Sequence, residues 1–229
     1  MKSTLIDAVS ISDLWYQALY NIFEEGRAYK YFIDKGSYKG HYRLQYYDFN
    51  AIIRYPATDM VPIIPPGKGM GAVTDLDTIE KYFETYIIGE EVHKKASLDD
   101  GEESYTYGSR ISIGLQNIID MLKDNPGTNQ AILEIAQPED VFLECPPCLR
   151  YLQFFIVDGK LILKSSWRSN DLVNAFSTNL GGLQRLKEYI AASVGVEDGP
   201  MLYNSSGLHL YDFSWDLAKQ RLGRQDEKE

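Results

Sequence analysis

The sequence has few basic residues, few cysteines and no long hydrophobic run, and each shortage argues against a class of protein. Its 229 residues include 23 Lys or Arg and 33 Asp or Glu, which gives a formal net charge of −10. A broad basic surface for nucleic-acid phosphates is therefore disfavoured, and we expect no nucleic-acid partner. No stretch reaches the roughly 18–20 apolar residues of a membrane span, and the N-terminal stretch lacks the apolar run of a signal peptide. We therefore expect a cytoplasmic protein that does not associate with membranes.

The only two cysteines, Cys145 and Cys148, lie together in the stretch ECPPC. A structural disulfide is not expected in a reducing compartment. A redox pair needs its first cysteine at a helix N-terminus, whereas this pair precedes a strand-like run. A zinc site needs about four ligands; His41, His93 and His209 lack that spacing, so we expect no metal. On composition alone, two small buried side chains remain a plain alternative to a nucleophile.

The hydrophobic patterns predict a mixture of helices and strands. The predicted helices begin at Ser12, Asp77 and Asn179 and cover 111–127 and a short segment after 213; the predicted strands cover 41–56, 131–136, 150–167 and 207–213. An Asp-Gly turn at 158–159 folds the third strand run into a hairpin. Without an internal repeat, this mixture predicts a single α+β domain over residues 1–229, with a frayed tail at 222–229.

Seven short motifs occur in an order that resembles the thymidylate synthase family. They are YTYGSR at 105–110, PPC at 146–148, QF at 153–154, DGKL at 158–161, RSND at 168–171, an asparagine at 179 eight residues after the aspartate, and HLY at 209–211. The resemblance covers about residues 105–217. It implies a thymidylate synthase-like α+β fold, in which a mixed β-sheet packs against helices and pairs two subunits into a homodimer.

The resemblance also implies a nucleophile. Cys148 matches the family's catalytic cysteine, and Cys145 is then a bystander. A thiolate is needed because C5 of a pyrimidine is a poor nucleophile, and addition of sulfur at C6 makes C5 electron-rich. The implied one-carbon donor is 5,10-methylenetetrahydrofolate. Arg168 is expected to pair with the nucleotide phosphate and to lower the pKa of Cys148.

Further residues take substrate-binding roles by the same resemblance. Ser169 is expected to be a second phosphate donor, and Gln153 to lie near the nucleotide. Asn179 is expected to read the base, because a carboxamide complements the O4 and N3–H edge of uracil. His209 and Tyr211 are expected to bind the sugar 3′-hydroxyl.

The remaining implied roles concern proton transfer and the folate. Asp171 is expected to contact the pyrimidine and the folate, and Tyr107 to line the folate side. The family's catalytic glutamate should lie on the 77–88 helix, where Glu84 is our first choice, also for folate contact, and Glu80 the reserve.

The sequence departs from the family where two adjacent arginines usually precede the nucleophile. Residues 127–130 read GTNQ instead, which removes two bidentate phosphate contacts. Either Arg43, Arg54 or Lys68 holds the phosphate, or the substrate is not the standard monophosphate.

These residues favour a folate-dependent C5 transferase acting on a dUMP-like, uracil-type nucleotide through a Cys148 thioether. Methylation and hydroxymethylation share that adduct. The compact length favours hydroxymethylation, whereas Asn179 favours a synthase. The alternatives are a cytidylate (CMP or dCMP) hydroxymethylase and a nucleotide-binding protein that kept the fold and lost turnover.

Overall fold

Ten strands and six helices make up the described part of the chain. The computed structural model describes residues 2–24, 26–36, 38–62, 73–91 and 105–224. The strands are β1 Thr4–Ala8, β2 Tyr29–Phe32, β3 Tyr42–Gln45, β4 Phe49–Ile53, β5 Ile132–Glu134, β6 Leu149–Val157, β7 Lys160–Trp167, β8 Asn170–Asp171, β9 Glu197–Ser205 and β10 Leu208–Tyr211. The helices are α1 Ile11–Asn21, α2 Leu76–Tyr82, α3 Tyr107–Ile111, α4 Leu115–Asp124, α5 Phe176–Val194 and α6 Trp215–Leu222. A π-helical turn, Phe83–Ile87, continues α2, and 3₁₀ turns lie at Pro138–Phe142 and Asp212–Ser214.

The strands form two mixed sheets. The larger sheet has the order β1-β4-β9-β7-β6-β5, and the smaller one has the order β2-β3-β10-β8. Strand pairs β1–β4, β7–β9 and β8–β10 are parallel, and the remaining pairs are antiparallel. Helix α5 contacts both α1 and α4, and all three helices contact the larger sheet. The α+β class with a mixed sheet and packed helices is therefore confirmed.

The long helix α5 lies in the centre of the core. Eleven of its residues are buried, including Lys187, whose side chain is fully buried. The Lys187 ammonium donates to the Gly199 carbonyl and lies 3.2 Å from a carboxylate oxygen of Asp198. A buried cation is tolerated because it is paired in this way. Trp15 of α1 donates its indole N–H to the Leu172 carbonyl, 2.7 Å away, just before α5.

The hairpin β6–β7 positions the candidate site. Its turn places Asp158 and Gly159 at φ values of 50° and 73°, the left-handed pair that a two-residue hairpin loop requires. The far end of the hairpin pairs Leu149 with Trp167, and the Arg168 N–H donates to the Cys148 carbonyl at 2.9 Å. The nucleophile candidate and the RSND segment therefore lie side by side.

Several predicted boundaries are wrong. Helix α1 is capped by Ser10, whose hydroxyl accepts from the Asp13 N–H at 3.1 Å, rather than by Ser12. The predicted strand 41–56 divides into β3 and β4, which belong to different sheets. Helix α5 begins at Phe176, so Asn179 lies in its first turn instead of opening it.

The predicted helix 111–127 is also shorter than expected. Helix α4 begins only at Leu115, because a turn over residues 112–114 separates it from α3. At the C-terminus α6 extends to Leu222, and residues 225–229 of the expected tail lie outside the described residues. The single domain over residues 1–229 stays a prediction. None of the described helices combines the length and the apolar character needed to cross a membrane.

Candidate active site

A cavity of about 730 Å³ opens where the RSND segment, β10, the start of α5 and helix α2 meet. Its volume lies within the range of small-molecule sites. Its lining is mainly tyrosine, asparagine and hydroxyl side chains: Tyr38, Val73, Thr74, Asp75, Thr78, Tyr82, Tyr86, Tyr107, Cys148, Ser169, Asn170, Asp171, Asn174, Ala175, Thr178, Asn179, His209 and Tyr211. Seven of the ten residues predicted from the sequence are among them: Cys148, Tyr107, Ser169, Asp171, Asn179, His209 and Tyr211.

Cys148 lies at the base of the hairpin, directly before β6, and its side chain is partly exposed to the cavity. The backbone N–H of the next residue, Leu149, donates to the Tyr107 hydroxyl at 3.2 Å. Burial raises the pKa of Tyr107 well above its ordinary value, and the nearby Tyr82 and Cys148 add to the shift. Tyr107 therefore stays a neutral hydroxyl beside the thiol. Cys145 is exposed, forms no disulfide with Cys148 and does not line the cavity.

Asp171 and Ser169 reach the cavity from the segment between β7 and α5. The Asp171 carboxylate accepts from the N–H groups of Val173 and Asn174, at 2.9 and 3.0 Å, and from the Asn174 side chain at 2.8 Å. This is an Asx-type turn that leads the chain into α5. The aspartate is therefore held in one orientation while part of it stays exposed.

His209 presents an acceptor nitrogen to the cavity. It is 3% exposed, and its Nδ1 lies 2.8 Å from the Gly207 carbonyl. A carbonyl can only accept, so Nδ1 carries the proton and Nε2 is the acceptor. Nε2 is buried and has no hydrogen-bond partner in the described part of the chain. Burial lowers the pKa of His209, which keeps the ring neutral.

Tyr211 lies two residues after His209 on β10. Its ring stacks on Tyr38, with centroids 4.3 Å apart, and contacts His209 edge-on. Burial raises the pKa of Tyr211, so its hydroxyl is neutral. The pair can offer one acceptor and one hydroxyl to a ligand.

Three tyrosines from α2, its π-helical extension and α3 form a tyrosine wall of the cavity, which we define as Tyr82, Tyr86 and Tyr107. Tyr82 and Tyr86 stack with centroids 5.3 Å apart, and Tyr86 contacts Tyr107 edge-on at 4.9 Å. The Tyr82 hydroxyl donates to Asn179 Oδ1 at 2.7 Å. Sequence reasoning missed this wall, although the four-residue spacing of Tyr82 and Tyr86 places them on one helix face.

Three predicted site residues lie outside the cavity lining. Glu84 is exposed on the π-helical turn, and its reserve Glu80 pairs with Arg185 at 2.5 Å. The Gln153 amide donates to the Asn129 carbonyl on the opposite side of β6, at 3.1 Å. These placements disagree with the predicted roles of Glu84 and Gln153, because neither side chain faces Cys148.

Arg168 is the third residue outside the lining. Its guanidinium donates to the carbonyls of Pro146 and Pro147, at 2.6 and 3.1 Å, immediately before Cys148. Arg168 is nevertheless close enough for its charge to act on His209. It therefore supports the loop that carries the thiol and does not face the cavity in this conformation.

The cavity lining carries no Lys or Arg among the described residues, and it includes the carboxylates of Asp75 and Asp171. Arg54 pairs with Asp7 at an exposed edge of the larger sheet. Arg43 lies on β3 opposite Tyr211, and its charge acts on His209. Lys68 and His93 lie outside the described residues. No group of three or more His, Cys, Asp or Glu in the described ranges is arranged to hold a metal ion.

The fold and the cavity together define an α+β protein whose cavity is lined by a partly exposed cysteine, a neutral histidine, an aspartate and an asparagine. A profile of the family described as thymidylate synthase matches residues 102–229. The chain belongs to the thymidylate synthase family, as the motifs had indicated.

Individual relatives agree with this assignment. The chain is 30% identical over 222 residues to a putative thymidylate synthase of Methanosarcina mazei, covering 94% of this chain and 93% of that protein. It is 32% identical over 115 residues to a thymidylate synthase of Listeria monocytogenes, covering 50% of this chain and 37% of that protein.

A solved structure, the thermostable thymidylate synthase A from Bacillus subtilis, superposes with a TM-score of 0.69 at 18% identity, covering 94% of this chain and 85% of that one. This superposition confirms the thymidylate synthase-like fold. The family comprises one-carbon transferases, which is the level at which the comparisons identify the activity.

Proposed function

We propose that this chain transfers a one-carbon unit to C5 of a uracil-type pyrimidine nucleotide, with Cys148 as the nucleophile. The observation that carries the proposal is that Cys148, Asp171, Asn179 and His209, which are up to 61 residues apart in the sequence, line one cavity. A purely structural cysteine would be packed in hydrocarbon instead.

The covalent step uses the sulfur of Cys148. Its electron pair forms the bond to C6 of the pyrimidine, and the C5=C6 π electrons move onto C5 and O4 as an enolate. C5 can then form a bond to an electrophilic carbon. After loss of the C5 proton, the transferred carbon would separate from its carrier nitrogen and remain on C5 as an exocyclic methylene. Addition of hydride or water to this carbon, with cleavage of the S–C6 bond, would return the thiolate and restore the ring double bond.

The other cavity residues orient the nucleotide in this proposal. Asn179 faces the O4 and N3–H edge of the base. His209 Nε2 accepts a hydrogen bond from the sugar hydroxyl, and Tyr211 offers its hydroxyl to the same group. Asp171 contacts the ring, and Ser169 lies 3.5 Å from His209 Nδ1, at the sugar and phosphate end.

The proposed cofactor is 5,10-methylenetetrahydrofolate, which when bound supplies the one-carbon unit at the oxidation level of formaldehyde. The tyrosine wall fits this group, because flat heteroaromatic rings stack well on tyrosine faces. Tyr82, Tyr86 and Tyr107 would hold it, together with Asp171. Glu84 is not included, because it is exposed outside the cavity.

How the 5′-phosphate is held is part of the proposal. Arg168 must turn away from the Pro146 and Pro147 carbonyls to reach it, or Arg43 must contribute from β3.

We also propose a homodimer through the outer face of the larger sheet. Phe155 and Ile162 are paired across β6 and β7 and are both only partly buried, which suits an apolar sheet contact.

A second candidate is a nucleotide-binding protein without turnover. The observation that favours it is that no glutamate lines the cavity among the described residues. The surviving thiol favours the transferase, because binding alone does not need a nucleophile.

Tritium release tests the proposal. The purified chain is incubated with [5-³H]dUMP or [5-³H]dCMP and methylenetetrahydrofolate, and tritiated water is counted. We expect release from the uracil nucleotide, loss of release in Cys148→Ala, and near wild-type release in the matched control Cys145→Ala. Release that survives Cys148→Ala contradicts the mechanism, and binding without release from either nucleotide supports the second candidate.

Chromatography of the same reaction identifies the product. Addition of hydride from the tetrahydrofolate carrier to the exocyclic methylene would give the 5-methyl nucleotide, whereas addition of water would give the 5-hydroxymethyl nucleotide. A 5-hydroxymethyl cytosine product would instead support the cytidylate hydroxymethylase.

A further inference from the structure

Asn179 is held by other side chains before any base binds. Its Oδ1 accepts from the Tyr82 hydroxyl at 2.7 Å, and its Nδ2 donates to Asn170 Oδ1 at 3.0 Å. Asn170 in turn donates from Nδ2 to the Tyr203 hydroxyl at 3.3 Å. We call this the amide chain: Tyr82, Asn179, Asn170 and Tyr203.

The orientation of the Asn179 amide decides which base fits. Each amide atom has one position left, since Nδ2 keeps one N–H and Oδ1 keeps one lone pair. Uracil presents an acceptor at O4 and a donor at N3, whereas cytosine presents a donor at N4 and an acceptor at N3. Turning the amide by 180° therefore exchanges complementarity to uracil for complementarity to cytosine.

The distances agree with this direction of the amide chain. A hydroxyl donating to a carbonyl oxygen prefers about 2.7–2.8 Å, and an amide N–H donating to oxygen prefers about 2.9–3.0 Å. The 2.7 Å contact at Tyr82 matches the first type, and the contacts at Asn170, 3.0 and 3.3 Å, match the second. Tyr82 is therefore the donor, and Asn179 has its oxygen toward Tyr82.

Reversing the direction of the hydrogen bonds in the amide chain requires all four of its side chains to exchange donor and acceptor roles together. The Asn179 amide would have to donate to Tyr82, and Asn170 would have to turn inside the protein, where it is 3% exposed. Tyr203 would have to become a donor while it is 2% exposed. Unpaired groups at these buried positions are costly, so Asn179 cannot turn alone.

We propose that Tyr82 sets the base selectivity of the cavity: by donating to Asn179 Oδ1 it holds the amide in the orientation that reads uracil and rejects cytosine. Tyr82 is a positioning residue here, because it acts through Asn179. The inference rests on the proposed function, since it assumes that a pyrimidine lies against Asn179.

The test compares binding of dUMP and dCMP to the full chain by calorimetry, without folate. We expect the wild type to prefer dUMP, and Tyr82→Phe to lower the ratio of the two dissociation constants about tenfold, because one typical hydrogen bond has that effect. The matched control is Tyr46→Phe, which also removes a donating hydroxyl, here to the Ala18 carbonyl at 2.9 Å, but lies outside the cavity lining; it should keep the ratio within about twofold of the wild type.

A rescue variant separates orientation from simple loss of packing. In Asn170→Asp the side chain can only accept, so it holds Asn179 Nδ2 in the same place without Tyr82. The double variant Tyr82→Phe with Asn170→Asp should therefore recover the dUMP preference. Tyr82→Phe, which removes one oxygen, should retain its fold, and circular dichroism checks this.

Each outcome is decisive. A lowered ratio in Tyr82→Phe, an unchanged ratio in Tyr46→Phe and recovery in the double variant support the inference. A wild-type preference for dUMP that persists in Tyr82→Phe overturns the inference and leaves the proposed function standing. A wild type that prefers dCMP also overturns it, and a wild type that binds neither nucleotide overturns the proposed function as well.

Discussion

Replacing Asp140 by asparagine tests how much the buried ion pair between Arg110 and Asp140 stabilises the fold. The Arg110 guanidinium binds the Asp140 carboxylate with both nitrogens, at 2.7 and 2.6 Å, and the two side chains are 8% and 3% exposed. Arg110 also donates to the Ile135 carbonyl at 2.5 Å, and the Gln137 N–H donates to Asp140 at 2.8 Å. The pair is buried and its hydrogen bonds are satisfied on both sides.

The expected cost follows from this burial. Removing one charge of a buried pair costs about 3–5 kcal/mol, because the other charge is left uncompensated. Asparagine keeps one oxygen toward Arg110, so we expect about 3 kcal/mol for Asp140→Asn. With a urea dependence of about 3 kcal/mol per molar, the unfolding midpoint should fall by about 1 M.

Asp120→Asn is the matched control for this measurement. Asp120 is exposed on α4 and accepts only from the Gln116 amide, at 2.9 Å. Its replacement should change the free energy of unfolding by less than about 0.5 kcal/mol. Urea unfolding followed by tryptophan fluorescence gives both midpoints. Equal midpoints for the two variants would refute the reasoning that the buried pair carries this stability.

The pH dependence gives a second check. Hydrogen bonds from Arg110 lower the pKa of Asp140 below its ordinary value of 3.8, although burial opposes the shift. A lowered pKa means that the pair's stabilisation is fully present above that ordinary value and is lost as the pH falls through the folded-state pKa. The difference between wild type and Asp140→Asn should therefore be constant from pH 7 to about pH 5 and narrow below about pH 4.

Three further changes have expected outcomes. A methyl group at Gly108 would lie 2.3 Å from the Gly89 carbonyl oxygen, whereas at Gly127 the nearest atom is 3.6 Å away; Gly108→Ala should lower the free energy of unfolding by about 1–3 kcal/mol and Gly127→Ala by far less, as measured in urea. Asn179→Asp offers only acceptors to the base, so the dUMP preference should move toward dCMP in calorimetry. Burial lowers the pKa of His209, so protonation of its ring destabilises the fold as the pH falls below about 6.5. The His209→Gln variant should therefore lose less stability than the wild type between pH 7 and 5, as measured in thermal melts.

The hairpin that carries Cys148 could be predicted from the sequence because its signals are local. Asp158-Gly159 requires left-handed backbone, and the residues on both sides alternate in burial along β6 and β7. The motif residues then meet because β8 pairs with β10 and places Asp171 opposite His209. Local signals were therefore sufficient to predict the hairpin. The meeting of Asp171 and His209 could be expected only from the order of the family motifs.

Other elements depend on pairing between distant segments. The run 41–56 has uniform strand propensity, and its division at residues 46–48 follows from β3 pairing with β10 while β4 pairs with β9. Strand β9 begins with Glu-Asp-Gly-Pro, which is unfavourable for a strand, but it lies in the middle of the larger sheet. Partners on both sides override weak local propensity.

The helix expected to carry the catalytic glutamate turns other side chains toward the cavity. Helix α2 begins at Leu76 with Asp75 as its cap, and the chain then widens into a π-helical turn over Phe83–Ile87. A π-helical turn changes the angular position of the residues that follow, which a 3.6-residue periodicity does not anticipate. Tyr82 and Tyr86, four residues apart, line the cavity, and Glu84, which lies between them in the sequence, is exposed.

Close packing of α2 against α5 places the Tyr82 hydroxyl within reach of Asn179. Helix α5 carries glycines at 181 and 182, and a methyl group there would lie 2.8 Å from Ile79 and from the Tyr82 ring, respectively. The absence of side chains lets α2 approach α5 closely enough for the Tyr82 hydroxyl to reach Asn179, one turn before these glycines. The orientation of the Asn179 amide, which we propose reads the base, is therefore determined by the spacing of two helices as well as by the hydrogen bonds of the amide itself.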